Sequence, residues 1–405
     1  MSRWRVPAVL TAVVVLAQLV HLDPLVDVVT GRPPADLRLV YPFAHIVFAP
    51  LTLTADWLNG GSRGDLKGFA AWAVGVYVFC RIFFGAVPRR ALREGAFALL
   101  FLAGFAAFVG WGALLDRPIP RIVAADSALV LFDVHSHTAR SHDGRARFGP
   151  DENAAWHRRA GFDAAFATDH NLVGAADAWR ADRAGRPPLL LAGEELSLAG
   201  LHIVALGTTQ RIDNTPWNGS FDSTLLLLRR LSADSGASRP YLIASLPEYW
   251  RNHWGPDIGV MTGAGVEGFE IWTTSPRAMD IPPAARAEIL ARAALERHAL
   301  FGATDMHGLG NAATVWNVMR LPGWRALDER ALAAALIARF RSDGPAAHRV
   351  IAIRRWQTDA TGAAPAVVPL NAALRLRSMS RGHAAALVVW IWLPALLATV
   401  RRRRR

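Results

Sequence analysis

Asp133, His135, His137, His142 and Asp143 crowd into residues 128–144, ALVLFDVHSHTARSHDG, where an apolar run gives way to titratable side chains. The run reads as a buried strand. On a strand, positions 135 and 137 share one face, so both imidazoles leave on the same side. Two imidazoles at a strand end suit zinc, iron or manganese, and the neighbouring carboxylates bias the site toward a hard or borderline ion.

Three later strands end in the same way. FDAAFAT (162–168) runs into Asp169, His170 and Asn171; LLLA (189–192) into Gly193, Glu194 and Glu195; LFGA (300–303) into Thr304, Asp305, Met306, His307 and Gly308. In a β/α barrel the C-terminal strand ends converge on one mouth, where catalytic groups collect. Further strand candidates are 201–206, 241–244, 266–272 and 349–353, and helix candidates are 152–160, 175–184, 223–231, 283–298 and 328–341. This alternation predicts an α/β fold with a parallel sheet or TIM-like barrel. Within it, His202 lies mid-strand and reads as structural, and His157 reads as a solvent-facing helix residue.

Taken in order, His135-x-His137-Thr138-x-x-Ser141, Asp169-His170, Gly193-x-Glu195 and Asp305-x-His307 resemble the PHP (polymerase and histidinol phosphatase) domain family over about residues 126–355. The resemblance implies a distorted (β/α)7 barrel, a site for two or three divalent metal ions (zinc, manganese or iron), and hydrolysis of phosphoester bonds. By motif position it implies that His135, His137, Glu195 and Asp305 hold one metal and that Asp143, His170 and His307 hold another, with Glu195 reaching toward a further ion. Arg140 could meet a substrate phosphate in bidentate fashion, and His142 is a candidate proton donor.

The sequence departs from the family pattern at three places. Leu246, before Pro247, stands where the family carries a histidine ligand, and His253 is the nearest substitute. Ser141-His142-Asp143-Gly144 has one residue more than the common Ser-Asp-Gly form, which leaves His142 or Asp143 as the ligand, with Asp143 preferred. Glu194 and Glu195 are neighbours on a strand and must face opposite ways; the Gly-x-Glu spacing favours Glu195. An amidohydrolase-type metallohydrolase is the rival enzyme class, and a non-catalytic sensor or scaffold built on the same barrel is the other alternative.

The elements around this constellation are those of a membrane protein. Of 405 residues 52% are hydrophobic and only 19% charged, and there are 15 tryptophans, too apolar for an ordinary soluble enzyme of this size. Cys80 is the only cysteine, which excludes an intramolecular disulfide and a cysteine-based zinc site. Apolar segments lie at 6–22, 39–58, 68–87, 95–115 and 384–400; the second is interrupted by Pro42, His45, Pro50 and Asp56, and reads as a span or as an interfacial helix. The net charge of +12 is mostly arginine flanking these segments, so it reads as topology charge and no nucleic-acid partner is expected. With Arg3, Arg5, Arg89, Arg90, Arg93 and the arginines at 401–405 on the cytoplasmic side, the polar middle lies outside the cytoplasm. The expected organisation is a membrane region at 1–116, a metallohydrolase domain at 117–380 and a C-terminal transmembrane helix with its arginine tail at 381–405. The expectation is a multi-pass protein of a bacterial inner membrane, in contact with membrane lipid and acting on a phosphoester that is a lipid head group, an envelope glycan phosphate or a scavenged ester.

Overall fold

The computed structural model describes residues 4–61, 63–84, 91–178, 187–236, 239–245, 257–274, 281, 283–309, 312–356 and 364–403. Leu246, Pro247, His253, Arg89, Arg90 and the second half of the expected helix at 175–184 lie outside the described residues. The described strands are β1 (Leu25–Asp27), β2 (Leu37–Val40), β3 (Arg121–Ala124), β4 (Leu129–Ser136), β5 (Ala164–Ala167), β6 (Leu189–Leu198), β7 (Leu201–Leu206), β8 (Tyr241–Ser245), β9 (Gly268–Thr273), β10 (Ala299–Ala303), β11 (Val315–Arg320) and β12 (Arg349–Ile353). Ten of them form one sheet in the order β1-β12-β11-β4-β5-β6-β7-β8-β9-β10, and β2 and β3 pair separately.

Every residue of β4, β5, β8, β9 and β10 is buried. Such strands are covered on both faces, which explains their continuous apolar runs. Phe132 of β4, Phe301 of β10 and Tyr241 of β8 pack around Phe340 of the helix Glu329–Asp343.

The sheet is mixed rather than parallel throughout. β4, β5 and β6 run parallel, as do β8, β9 and β10, but β7 is antiparallel to both β6 and β8. The cause is local. β6 does not stop at Ala192 but continues to Leu198, and only Ala199 and Gly200 separate it from β7. A two-residue loop can make a hairpin, whereas a parallel return needs a dozen residues or more. Gly200 takes the left-handed conformation of this tight turn (φ 78°).

The sheet curls until the chain after β10 meets β4. The Asp305 amide donates to the His135 carbonyl at 2.9 Å and the His137 amide to the Met306 carbonyl at 2.9 Å. Asn317 of β11 secures the closure. Its side chain accepts from Gly302 N at 2.9 Å and donates to Gly302 O at 2.7 Å and to Phe132 O at 3.2 Å. Gly302 must be glycine here, because a Cβ would lie 2.2 Å from Val315 Cγ2. β11 is absent from the sequence reading, since a polar residue at its centre breaks the apolar run.

The helix Pro150–Ala160 begins with proline in its first turn and stops at Gly161 in the left-handed conformation (φ 94°). It presents His157 to the sheet, not to solvent: His157 is fully buried and its Nε2 lies 3.1 Å from Asp133 Oδ2. Asp133 also accepts from the Thr304 amide at 3.1 Å, so it is spent on holding β4 to the strand-end loop at 304.

Among the described residues three helices are long and apolar enough to cross a membrane, Gly64–Phe83, Arg93–Leu114 and Arg381–Arg401, and Arg5–Leu19 is apolar but shorter. The 39–58 segment resolves into β2 and the helices Phe43–Val47 and Ala49–Asn59, which pack against the other elements instead of spanning. These segments are tied to one another and to the chain after β12. Leu22 N donates to Arg377 O at 3.0 Å, Asp65 pairs with Arg355, and Asn59 Nδ2 donates to Gly112 O at 3.0 Å. β1 joins the large sheet as the outer neighbour of β12, so the stretch before the long helices also contributes to the domain.

At this junction Asp56 is buried and pairs with Arg117 and with His45 Nε2 (2.8 Å), while His45 Nδ1 faces His383 Nε2 at 2.9 Å. Removing the one carboxylate leaves two buried basic groups uncompensated. Asp56→Ala is expected to cost about 3–5 kcal/mol, read as a lowered unfolding midpoint of the full chain in detergent. An unchanged midpoint would show that the junction does not depend on this pair.

Candidate metal centre

The pleat and the strand polarities decide which side chains meet. His135 and His137 leave β4 on one face with their Nε2 atoms 3.0 Å apart. Glu195 arrives from β6 with Oε2 at 3.1 Å from both nitrogens. Asp305, just past β10, places Oδ1 3.3 Å from His137 Nε2 and 3.6 Å from His135 Nε2. Asp305 holds φ at 48°, unusual for a non-glycine residue. Strain of this kind is kept only where the surroundings enforce it, and here the bond from its amide to His135 O does so.

A second group forms alongside. Asp143 Oδ2 lies 3.2 Å from His170 Nε2 and 3.0 Å from His307 Nε2. Donor atoms of His137, Asp143, His170 and His307 all lie within 4.8 Å of one another, as do those of His135, His137 and Glu195, and those of His170, Glu195 and His202. His137, His170 and Glu195 each belong to two of these groups.

The loops are built to hold this arrangement. Ser141 Oγ donates to Asp143 Oδ1 at 2.7 Å. A Cβ at Gly144 would meet Thr138 O at 2.0 Å, so the turn after Asp143 closes only on glycine. Arg145 N donates to His307 O at 2.9 Å and Arg145 Nη1 to Leu114 O at 2.7 Å, tying the Asp143 loop to the end of a long apolar helix. Asp169 is not in the cluster; it accepts from Thr138 N and Oγ1 at 2.6 and 2.8 Å and fixes the exit from β4.

All seven expected ligands, His135, His137, Asp143, His170, Glu195, Asp305 and His307, thus come together. Of the adjacent glutamates, Glu195 faces the cluster, whereas Glu194 points the other way and accepts from Ile212 N at 2.9 Å. Burial pushes the Glu194 carboxyl up to about 7. His142 lies at the rim, exposed, with its ring 4.9 Å from that of His170. Arg140 is also exposed, with its guanidinium beside Gly174.

Two residues escaped the sequence reading. His202 is not merely structural: its Nδ1 lies 2.9 Å from Glu195 Oε1. Because β7 runs antiparallel, its start rather than its end lies at the mouth. Glu270 of β9 accepts from or faces His135 Nδ1 at 2.7 Å and accepts from Ser245 Oγ at 3.0 Å. A lone carboxylate inside the apolar strand GFEIWT was the available signal.

The carboxylates of the cluster favour positive charge on its imidazoles. Burial works against a charged His135, but Glu195 and Glu270 outweigh it and hold the imidazole well above its usual range. Burial would raise Asp143, yet hydrogen bonds from His170 and His307 keep it well below the usual carboxylate range. His307 is pushed up to about 9: burial opposes the charge, and Asp305 and Asp143 prevail.

The residues fit a divalent ion. Ligand atoms about 3.0–3.3 Å apart are what several ligands at about 2.0–2.2 Å from one ion leave between them. His137 Nδ1 is buried without a hydrogen-bond partner among the described residues. The Glu270–His135 pair supplies the carboxylate behind a ligating imidazole that metal sites use to fix its tautomer.

No protein-family profile matches the chain. No curated protein matches it either. Among solved structures, it is similar to a protein from Bifidobacterium adolescentis described as a metal-dependent phosphoesterase (16% identity, 44% of this chain and 88% of that one, TM-score 0.32). It is also similar to PsfC from Pseudomonas syringae (16% identity, 62% and 99%, TM-score 0.36). A third is an amidohydrolase from Chromobacterium violaceum with bound sulfate and no metal (17% identity, 47% and 92%, TM-score 0.30). Similarity at this level leaves the reading of the site to its own residues.

Proposed function

We propose that this chain is a membrane-anchored, metal-dependent hydrolase that cleaves phosphate esters. The observation that carries the reading is the pair of adjacent donor groups sharing His137, one with His135 and Glu195 and the other with Asp143, His170 and His307. Asp305 completes the first group. Paired divalent ions there would activate water and stabilise both the attacking and the leaving oxygen of a phosphoryl group. The chain's own residues do the rest. Glu270 orients His135 and Ser141 orients Asp143. His142, exposed beside His170, is placed to give a proton to the leaving oxygen, and Arg140 is available at the surface for a substrate phosphate oxygen. The same reading places the domain outside the cytoplasm. What supports this is that Arg5 and Arg401 lie at the helix ends away from the junction with the domain, where cytoplasmic arginines belong.

The test uses the full chain in detergent or nanodiscs. Metal content per chain and turnover of 4-nitrophenyl phosphate with added manganese or zinc are expected to rise and fall together on loading and chelation. Metal-dependent cleavage of amides or lactones without phosphoester cleavage would overturn the reading in favour of an amidohydrolase. Absence of both metal and turnover would favour a sensor.

A further inference from the structure

The metal centre does not open on water alone. It forms one end of a cavity of about 620 Å³, a size that suits a small organic ligand. The polar end is lined by His135, Asp143, Glu195, Glu270, Asp305 and His307. The other end is lined by three apolar helices in a regular pattern. Ala55, Leu58 and Asn59 come from Ala49–Asn59; Leu66, Phe69 and Ala70 from Arg63–Phe84; Phe105, Phe108, Val109, Gly112 and Ala113 from Ala91–Leu114. Each set follows i, i+3, i+4 spacing, so each helix gives the cavity one continuous stripe.

The longest stripe, from Ala113 to Phe105, runs about 12 Å along the helix axis. Two of the three helices are long and apolar enough to span a membrane. Leu66 and Val109 remain exposed along the stripe (38% and 41%), so the groove is open on its side rather than sealed. The Ala49–Asn59 helix packs beside Gly112, where a Cβ would lie 3.4 Å from that of Ala55, in ordinary van der Waals contact. A soluble phosphoester needs none of this apolar floor.

We infer that the substrate is an amphiphile presented from the membrane. Its phosphoester head enters the metal centre while its hydrocarbon tail lies along the apolar wall on which the Phe69 and Phe105 rings stack, 5.9 Å between centroids. The inference rests on the phosphoesterase reading above and adds the substrate class to it. In the reaction, the oxygen of a water forms a bond to phosphorus as the bond from phosphorus to the alkyl oxygen breaks. A proton passes to the leaving oxygen, giving an alcohol that stays in the membrane and a free phosphate.

The experiment compares n-alkyl phosphates from butyl to dodecyl on the full, manganese-loaded chain in phosphatidylcholine nanodiscs, reading released phosphate. If the tail is buried, kcat/KM rises by about fourfold per methylene until the groove is filled. Val109→Trp and Ala70→Trp, which fill the groove, then reduce the dodecyl-to-butyl ratio toward one. Equal turnover across the series would overturn the inference and leave the phosphoesterase reading standing. Absence of phosphate release from every member, 4-nitrophenyl phosphate included, would defeat that reading itself. A second readout is independent of turnover: a dodecyl phosphate carrying a terminal diazirine, bound to the metal-free chain, is expected to label the 66–70 and 105–113 stripes. Labelling confined to other helix faces would also overturn the inference.

Discussion

The His137→Ala protein is expected to lose metal from both donor groups at once and at least about a thousandfold in kcat/KM. His137 Nε2 stands 3.0 Å from His135 Nε2, 3.1 Å from Glu195 and 3.3 Å from Asp305. Its ring also stacks on those of His170 and His307, with centroids 4.9 and 4.0 Å away. His170 and His307 also reach the first set, at 3.3 Å to Glu195 Oε2 and 3.5 Å to Asp305 Oδ1, but each through one carboxylate only. Asp143→Ala, by contrast, touches only the group with His170 and His307. The contribution of a bound ion to a hydrolytic transition state is several kcal/mol, and about 4 kcal/mol is a thousandfold. Metal content by elemental analysis and turnover of 4-nitrophenyl phosphate read the result, with circular dichroism showing that the sheet persists. His137→Asn, closer in polarity, guards against a folding defect in the alanine variant. Wild-type metal content in both variants would show that the two groups are not joined through this residue.

The next largest effect belongs to a residue that touches no substrate. Glu270 faces His135 Nδ1 at 2.7 Å. It thereby turns the Nε2 lone pair toward His137 and Glu195. Loss of such a supporting carboxylate typically costs 10–100-fold in metal affinity. Glu270→Ala is therefore expected to shift the manganese activation curve by about 10–100-fold, with kcat largely restored at saturating metal. Glu270→Gln keeps an acceptor for the imidazole N–H and is expected to fall between the two. A fall in kcat that excess metal does not restore would instead make Glu270 a direct participant. The two variants thus separate a positioning role from a ligand role.

The sequence made much of this visible because the ligands stand at the ends of strands whose apolar runs are short and continuous. The His135–His137 spacing and the Asp305–His307 pair could be placed by the two-residue period of a strand and by the convergence of parallel strand ends, whereas Asp143, in a loop, was implied by the family resemblance alone. That logic fails where a strand is reversed. His202 appears mid-strand in LHIVAL, yet antiparallel pairing of β7 with β6 sets it opposite Ser197 and beside Glu195. Glu270 was hidden for a different reason: its partner is 135 residues away in sequence and meets it only when the sheet curls. His157 was misplaced because helix composition does not reveal which face a sheet will cover. The pleat does turn Glu194 and Glu195 to opposite sides, with Glu195 toward the cluster, although the strand runs past both and does not end before them.

The pairing of β1 with β12 sets an order on assembly. Leu25 lies opposite Ile353, and Asp27 opposite Ile351. The first strand made is thus among the last to find its neighbour, after two long apolar helices and the rest of the sheet have been synthesised. Contacts so distant along the chain form slowly, and an unpaired edge is open to wrong partners until they do. Were the long apolar helices to insert in a membrane, the edge at β12 would be covered only once the segment following the first helix reached the same side as the domain.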